Sequence, residues 1–259
     1  MRIPDVDRLD RARRWGRGVN ILLSCGSSFE YESGMAFDLI IFDCDGVLID
    51  SETISATMLI ETLADHGVVV DAPYVAEHFL GRSYPTVMKQ IRTAFGIALS
   101  AEFEDEYRAR LMEAFETDLK IMPGVRAVID ALNVASCVAT SSSPKRVMRS
   151  LQLVGLDQIF AGRIFTASEV ANGKPAPDLF FHVAAKMGVD PTNCLVIEDS
   201  RNGILAAKAA GMQVWRFTGG SHVSPRDAAG PSSALADRAF DDFADFFHLA
   251  PELQKVPAA

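Results

Sequence analysis

Two acidic residues, two positions apart, follow an apolar run of the kind that forms a buried strand. Asp43 and Asp45 stand in the segment DCDGVLIDSE, directly after the run 39–42. In an extended chain the two carboxylates point to the same side. At the carboxyl end of a parallel strand they would lie where open α/β sheets bind their ligands. Unpaired carboxylates there are costly without a cation, so the segment predicts a metal or catalytic site, although calcium loops and helix caps use the same pattern.

Glu198 and Asp199 form a second acidic pair, at the end of the apolar run 194–197. If both runs are strands of one sheet, their acidic residues meet at one edge. An oxygen-rich group of this kind, without His or Cys, suits Mg²⁺ rather than zinc. The structural alternative is that Asp199 or Ser200 only caps the helix that follows.

Hydroxyl groups and a lysine in two further segments are candidates to bind an anion. The segment VATSSSPKR, residues 138–146, runs from an apolar stretch into three serines and a predicted helix start, where hydroxyl and backbone N–H donors converge. Lys174 stands in GKPAPD, and the flanking Gly173 and Pro175 indicate a loop rather than a solvated helix face. Serine runs are also common in loops and single lysines on surfaces, so each signal is weak by itself.

Five short apolar runs predict the strands that position these residues: 39–42, 137–140, 163–165, 194–197 and 214–217. Helical patterns separate most of them, which is typical of a parallel sheet covered by helices. The long stretch between the first two strands carries helical stripes and no convincing strand. The predicted fold is therefore α/β, with a small helical domain inserted after the first strand.

The chain divides into four predicted regions. We expect a poorly ordered extension over 1–34, a core formed by 35–52 and 122–248, an inserted domain over 53–121, and a tail over 249–259. The longest apolar stretch of the extension is too short for a signal peptide, and its acidic residues argue against a transit peptide.

Composition narrows the function classes. The 259 residues include 25 Lys or Arg against 34 Asp or Glu, a net charge of −9, which argues against a nucleic-acid binder. No apolar run reaches the length of about 18 residues that a membrane span needs, so we expect no membrane partner. The four cysteines show no metal-ligand spacing, and we expect a cytoplasmic protein without disulfides.

Taken together, the four segments resemble the haloacid dehalogenase-like superfamily, in its phosphatase branch. All four signature motifs of that superfamily occur in the expected order, over roughly residues 37–220. The resemblance implies a Rossmann-like core with a helical cap inserted after the first motif, which matches the insertion predicted above.

The resemblance also implies a role for each residue of the motifs. Asp43 takes the position of the nucleophile, and Asp45 takes that of the general acid and base. Ser141 takes the position of the phosphate-binding hydroxyl, with Ser142 as the alternative. Lys174 takes the position of the phosphate-binding lysine.

The cofactor implied by the resemblance is Mg²⁺. Glu198 and Asp199 take the positions of the last motif, with Asp199 the more direct metal ligand. In this superfamily the metal is also held by the nucleophilic aspartate and by the backbone carbonyl of the second one, here Asp43 and Asp45.

The segment LGRSYPTV, residues 80–87, resembles the cap loop that enters the active site in the β-phosphoglucomutase-like subgroup. Arg82 is the candidate to meet a distal carboxylate or second anionic group, because guanidinium favours bidentate contact with such oxygens. Its alternative is a solvated loop arginine. In the mutases of this subgroup an arginine aligns with Tyr84 and a histidine with Ser55, so the chain departs from the mutase pattern.

The predicted function is Mg²⁺-dependent hydrolysis of a small phosphorylated sugar, sugar acid or polyol through an aspartyl-phosphate. A β-phosphoglucomutase-like phosphomutase is the enzymatic alternative, and a catalytically silent binding protein on the same fold is the other. We expect a monomer whose partner is a small phosphorylated metabolite. The side chain of His222, in the segment GGSH, is expected to be structural rather than part of the site.

Overall fold

The computed structural model describes residues 37–79, 82, 84–96 and 100–256. Its centre is a parallel sheet of six strands: β1 (Leu39–Phe42), β2 (Ala135–Thr140), β3 (Ile164–Thr166), β4 (Cys194–Glu198), β5 (Gln213–Phe217) and β6 (Arg238–Phe240). The strand order is β3-β2-β1-β4-β5-β6. The central position of β1 places the segment that follows it between the ends of β2 and β4.

The five predicted strands are confirmed, with boundaries that differ by up to two residues. The sixth strand was not predicted. Only Phe240 of its three residues is buried, so Arg238–Phe240 forms no apolar run in the sequence. Its pairing with β5 places it at the edge of the sheet.

Helices follow or connect the strands: α1 (Glu52–Asp65), α2 (Ala72–His78), α3 (Tyr84–Phe95), α4 (Ala101–Asp118), α5 (Val125–Ala131), α6 (Pro144–Leu153), α7 (Asp178–Met187), α8 (Arg201–Ala209), α9 (Pro225–Ala228), α10 (Pro231–Leu235) and α11 (Phe246–Leu249). Apolar clusters cover both faces of the sheet. Leu39 and Ile41 pack on one cluster with α7 and α8, whereas Ile40 and Phe42 pack on the other with α5 and α6. This alternation explains why β1 reads as a continuous apolar run.

The helices α1 to α4, which we call the cap, are inserted between β1 and β2. They pack around an apolar cluster of their own, which includes Leu63, Ile91 and Phe103. The two links between cap and sheet run side by side, because the amide of Asp50 donates to the carbonyl of Lys120 over 3.0 Å. The fold class predicted from the sequence, a Rossmann-like sheet with an inserted helical cap, is therefore confirmed.

The end of the chain differs from the predicted tail over 249–259. Ala250 and Leu253 are buried in the same apolar cluster as α5 and α6. The amide of Lys255 donates to the carbonyl of Ala131 over 2.8 Å. The prediction of a tail is wrong for residues 249–256, because a turn at Pro251–Leu253 inserts Leu253 into the core.

The predicted extension over 1–34 lies outside the described residues. Within the described part of the chain, every helix is too short or too polar to cross a membrane.

Candidate active site

A cavity of about 1130 Å³ lies between the carboxyl edge of the sheet and the cap. All the site residues predicted from the sequence line it: Asp43, Asp45, Ser141, Ser142, Lys174, Glu198 and Asp199 from the sheet side, and Arg82 and Tyr84 from the cap side. The structure therefore brings the four motifs and the predicted specificity residues to one place.

The convergence of these residues follows from the order of the strands. β1 pairs with both β2 and β4, so the segments that follow these three strands are neighbours. The amide of Asp43 donates to the carbonyl of Ile197 over 2.9 Å, which extends the pairing beyond β1. Ser200 caps α8 and also donates to Glu198 Oε2 over 2.9 Å. The capping alternative from the sequence is therefore correct for Ser200 and does not remove the acidic pair from the cavity.

Lys174 is the cation at the centre of the site. Its ammonium group lies 2.5 Å from Asp43 Oδ1 and 2.7 Å from Glu198 Oε1, and it donates to the carbonyl of Ala139 over 3.0 Å. Only 2% of the lysine side chain is exposed. Burial lowers the pKa of Lys174, but the two carboxylates outweigh it and hold this pKa above the usual lysine value. The lysine is therefore charged.

Three buried carboxylates form a group that fits a divalent cation. Asp43, Glu198 and Asp199 each offer an oxygen, and these oxygens all lie within 4.8 Å of one another. Burial raises the pKa of both Asp43 and Glu198, although Lys174 opposes the shift. Packed carboxylates of this kind gain from a bound cation, and oxygen ligands suit a hard ion such as Mg²⁺. The carboxylate of Asp45 does not belong to this group.

Asp45 is instead held by three hydrogen-bond donors. Its Oδ1 accepts from Ser51 Oγ over 2.6 Å and from Arg146 Nη2 over 2.8 Å, and its Oδ2 accepts from Ser142 Oγ over 2.6 Å. Burial opposes ionisation, but Arg146 and the two hydroxyl groups outweigh it and lower the pKa of Asp45. This environment favours the carboxylate form of Asp45.

The cap residues Arg82 and Tyr84 lie on the opposite wall of the cavity. The ring of Tyr84 stacks on that of Tyr107 with centroids 5.7 Å apart, and the guanidinium of Arg108 lies 4.7 Å from the Tyr84 centroid. The hydroxyl of Tyr84 is buried and has no hydrogen-bond partner among the described residues. Arg82 is half-buried.

Three residues at the site were missed as functional candidates: Glu52, Arg146 and His222. Glu52 and Arg146 stand in segments singled out by their sequence but received no role there. His222 was expected to be structural, yet its Nε2 lies 2.9 Å from Asp199 Oδ2. The sequence offers only the pair Gly219–Gly220, separated from it by Ser221, beyond the carboxyl end of a strand, and this pattern does not by itself place the ring beside Asp199.

Two glycines make room for the ring of His222. A Cβ on Gly46 would lie 2.3 Å from Asp199 Oδ2 and 2.9 Å from Cε1 of His222. A Cβ on Gly220 would lie 2.8 Å from the same ring. Gly46 also has a φ of 82°, which other residues rarely adopt. The turn after Asp45 therefore needs glycine for both its conformation and its close approach to Asp199 and His222.

Comparison with known proteins agrees with this geometry. The chain is 28% identical over 189 residues to 6-phosphogluconate phosphatase from Escherichia coli, covering 73% of this chain and 86% of the relative. It is 30% identical over 178 residues to hexitol phosphatase B from Escherichia coli, covering 67% and 80%. A crystal structure of a conserved haloacid dehalogenase-like protein of unknown function from Agrobacterium tumefaciens has a TM-score of 0.72 and 37% identity, covering 84% of this chain and 99% of that chain.

The family model of the haloacid dehalogenase-like hydrolases matches residues 37–211, which include the strand ends and the cap described above. The chain therefore belongs to the haloacid dehalogenase-like hydrolases.

Proposed function

We propose that this protein is a Mg²⁺-dependent phosphatase that hydrolyses a small phosphorylated sugar, sugar acid or polyol through an aspartyl-phosphate. The observation that carries the proposal is the buried contact of Lys174 with Asp43 and Glu198 beside Asp199, in the wall of the cavity. Relatives named 6-phosphogluconate phosphatase and hexitol phosphatase B support the substrate class.

Asp43 is the nucleophile in this proposal. One of its carboxylate oxygens attacks phosphorus, an aspartyl-phosphate bond forms, and the bond between phosphorus and the leaving oxygen breaks. Lys174 stabilises the charge that gathers on the phosphoryl oxygens, because its ammonium group is fixed 2.5 Å from the attacking residue. Asp43, Glu198 and Asp199 would hold Mg²⁺, which would supply further positive charge for the phosphoryl transfer.

Asp45 moves the protons of both steps. It protonates the leaving oxygen in the first step, and in the second it takes a proton from the water that attacks the aspartyl-phosphate, releasing inorganic phosphate and Asp43. Its contacts with Ser142 and Arg146 favour the carboxylate form, which suits the second step. For the first step these contacts must loosen so that Asp45 can hold a proton. Because Ser142 donates to Asp45, Ser141 is the better candidate for the phosphate-binding hydroxyl.

The experiment that tests this function is a screen of phosphorylated sugars, sugar acids and polyols with and without Mg²⁺, read as released inorganic phosphate. We expect release that EDTA abolishes and Mg²⁺ restores, and excess Ca²⁺ should inhibit because its looser coordination misplaces the nucleophile. Release that survives exhaustive chelation would contradict the proposal. Interconversion of hexose 1- and 6-phosphates without phosphate release would support the phosphomutase alternative instead.

A further inference from the structure

Glu52 is a buried carboxylate in the cavity that the proposed reaction does not use. It is the first residue of α1, it is 8% exposed, and it lines the same cavity as Asp45 and Asp199. Within the described part of the chain, no hydrogen-bond donor reaches its carboxylate. Buried carboxylates normally accept several hydrogen bonds, so this one keeps acceptor capacity that a molecule in the cavity could use.

The neighbours of Glu52 in the chain fix its place beside Asp45. Ser51, directly before it, donates to Asp45 over 2.6 Å instead of capping α1. Ser55, one helical turn further on, accepts from Arg146 over 3.1 Å, and Arg146 also donates to Asp45. The first turn of α1 is thus tied to Asp45 on both sides of Glu52.

Two carboxylates and two basic side chains, from different segments of the fold, act on the charge of Glu52. Burial raises its pKa to about 7, and the carboxylates of Asp45 and Asp199 raise it as well. His222 and Arg146 oppose this shift without outweighing it. A neutral donor placed here gains a hydrogen bond to a carboxylate, whereas another anion would meet three carboxylates in a confined space.

We infer that Glu52 selects the leaving group. It accepts a hydrogen bond from a hydroxyl on the carbon adjacent to the one that bears the phosphate, and it repels an anionic group at that adjacent carbon. In the proposed reaction Asp45 meets the ester oxygen, so a side chain beside Asp45 first meets the substituent on the neighbouring carbon. The inference rests on the proposed phosphatase function and narrows its substrates to phosphate esters with a vicinal hydroxyl, as in polyols. The inference still allows an anionic group at the far end of the substrate, where Arg82 would meet it.

A pair of substrates that differ only in the vicinal hydroxyl tests the hydrogen bond. The full-length protein with Mg²⁺ should hydrolyse glycerol 3-phosphate with a kcat/KM roughly 10- to 100-fold above that for propane-1,3-diol monophosphate. Glu52→Ala should reduce this ratio to near unity. The matched control is Glu61→Ala, at an exposed position on the same helix, which should keep the wild-type ratio.

A second pair of substrates tests the charge. The wild-type protein should prefer 2-hydroxyethyl phosphate to phosphoglycolate, which carries a carboxylate at the same carbon. Glu52→Gln keeps the size of the side chain and should weaken that preference by on the order of tenfold. The inference is overturned if the wild-type protein lacks either preference, or if the Glu52 variants retain both. Hydrolysis of p-nitrophenyl phosphate by the wild-type protein measures the phosphatase function separately, and its absence would sink that function rather than the selectivity alone.

Discussion

Lys174 Nζ lies 2.5 Å from Asp43 Oδ1, where 2% of the lysine side chain and 10% of the aspartate side chain are exposed. This contact places a fixed cation against the candidate nucleophile, and Glu198 lies on its other side at 2.7 Å. The same lysine therefore serves two purposes: it compensates buried negative charge, and in the proposed reaction it meets the phosphoryl oxygens.

Lys174→Met should destabilise the protein, because it leaves buried carboxylates without their cation. We expect the free energy of unfolding in EDTA to fall by about 3–5 kcal/mol, the usual cost of removing one partner of a buried ion pair. Added Mg²⁺ should restore part of this loss, since it binds the folded state. Urea unfolding followed by circular dichroism gives both values. Lys186→Met, at an exposed position of α7, is the control, and an equal loss in the two variants would contradict the account.

Glu52 should make stability depend on pH. Its pKa is raised from 4.5 to about 7 in the folded protein, so its contribution to stability is present below pH 4.5 and is lost as the pH rises through about 7. In EDTA, Glu52→Gln should therefore gain stability relative to the wild type between pH 5 and pH 8, by about 2–3 kcal/mol. The measurement is urea unfolding of both proteins at each pH. A constant difference across this range would show that the carboxylate does not titrate as described.

His222→Ala should weaken metal binding, because the imidazole at 2.9 Å orients the carboxylate of Asp199. Partners of metal ligands contribute about 10–100-fold in affinity, so we expect the dissociation constant for Mg²⁺ to rise by about tenfold or more. Isothermal titration calorimetry measures this without turnover. His248→Ala provides the comparison, since its side chain is 83% exposed. Unchanged Mg²⁺ affinity in His222→Ala would assign that ring to packing alone.

Arg82→Ala tests whether the cap binds an anionic group of the substrate that lies far from the phosphate. For a sugar-acid phosphate, we expect a loss of about 2–4 kcal/mol of transition-state binding, calculated from kcat/KM. The loss should be much smaller for an aryl phosphate, which lacks the distal group. Arg126→Ala, an exposed arginine on α5, should show neither effect. Equal losses on both substrates would mean that Arg82 supports the fold or the closure of the cap.

The parts of the fold that the sequence predicts are those with a local pattern. The runs of β1 and β4 are continuous because both faces of the sheet are covered, and Ser143 with Pro144 marks the start of α6. β6 has no such pattern, since only Phe240 of its three residues is buried. Leu253 stands between the polar residues Glu252 and Gln254, and no local pattern shows that it enters the core.

The candidate site also contains residues that the sequence could place and residues that it could not. Asp43 and Lys174 could be placed from motif spacing, because parallel strands bring their carboxyl ends together. The position of His222 depends on the space that Gly46 leaves beside Asp199, which no spacing in the sequence reveals. Cζ of Arg146 lies 5.3 Å from the ring centroid of Phe115 in the cap, so the position of Arg146 depends on contact between the cap and the core.

The most direct measurement is the location of the phosphoryl group during turnover. The full-length protein is quenched in acid while it hydrolyses p-nitrophenyl phosphate with Mg²⁺, and borohydride then converts any acyl phosphate of aspartate to homoserine, which mass spectrometry locates. We predict homoserine at Asp43 in the wild-type protein and none at that position in Asp43→Asn, with turnover of the variant reduced on the order of a thousandfold or more. Modification of a different residue, or turnover of Asp43→Asn near that of the wild type, would contradict the account.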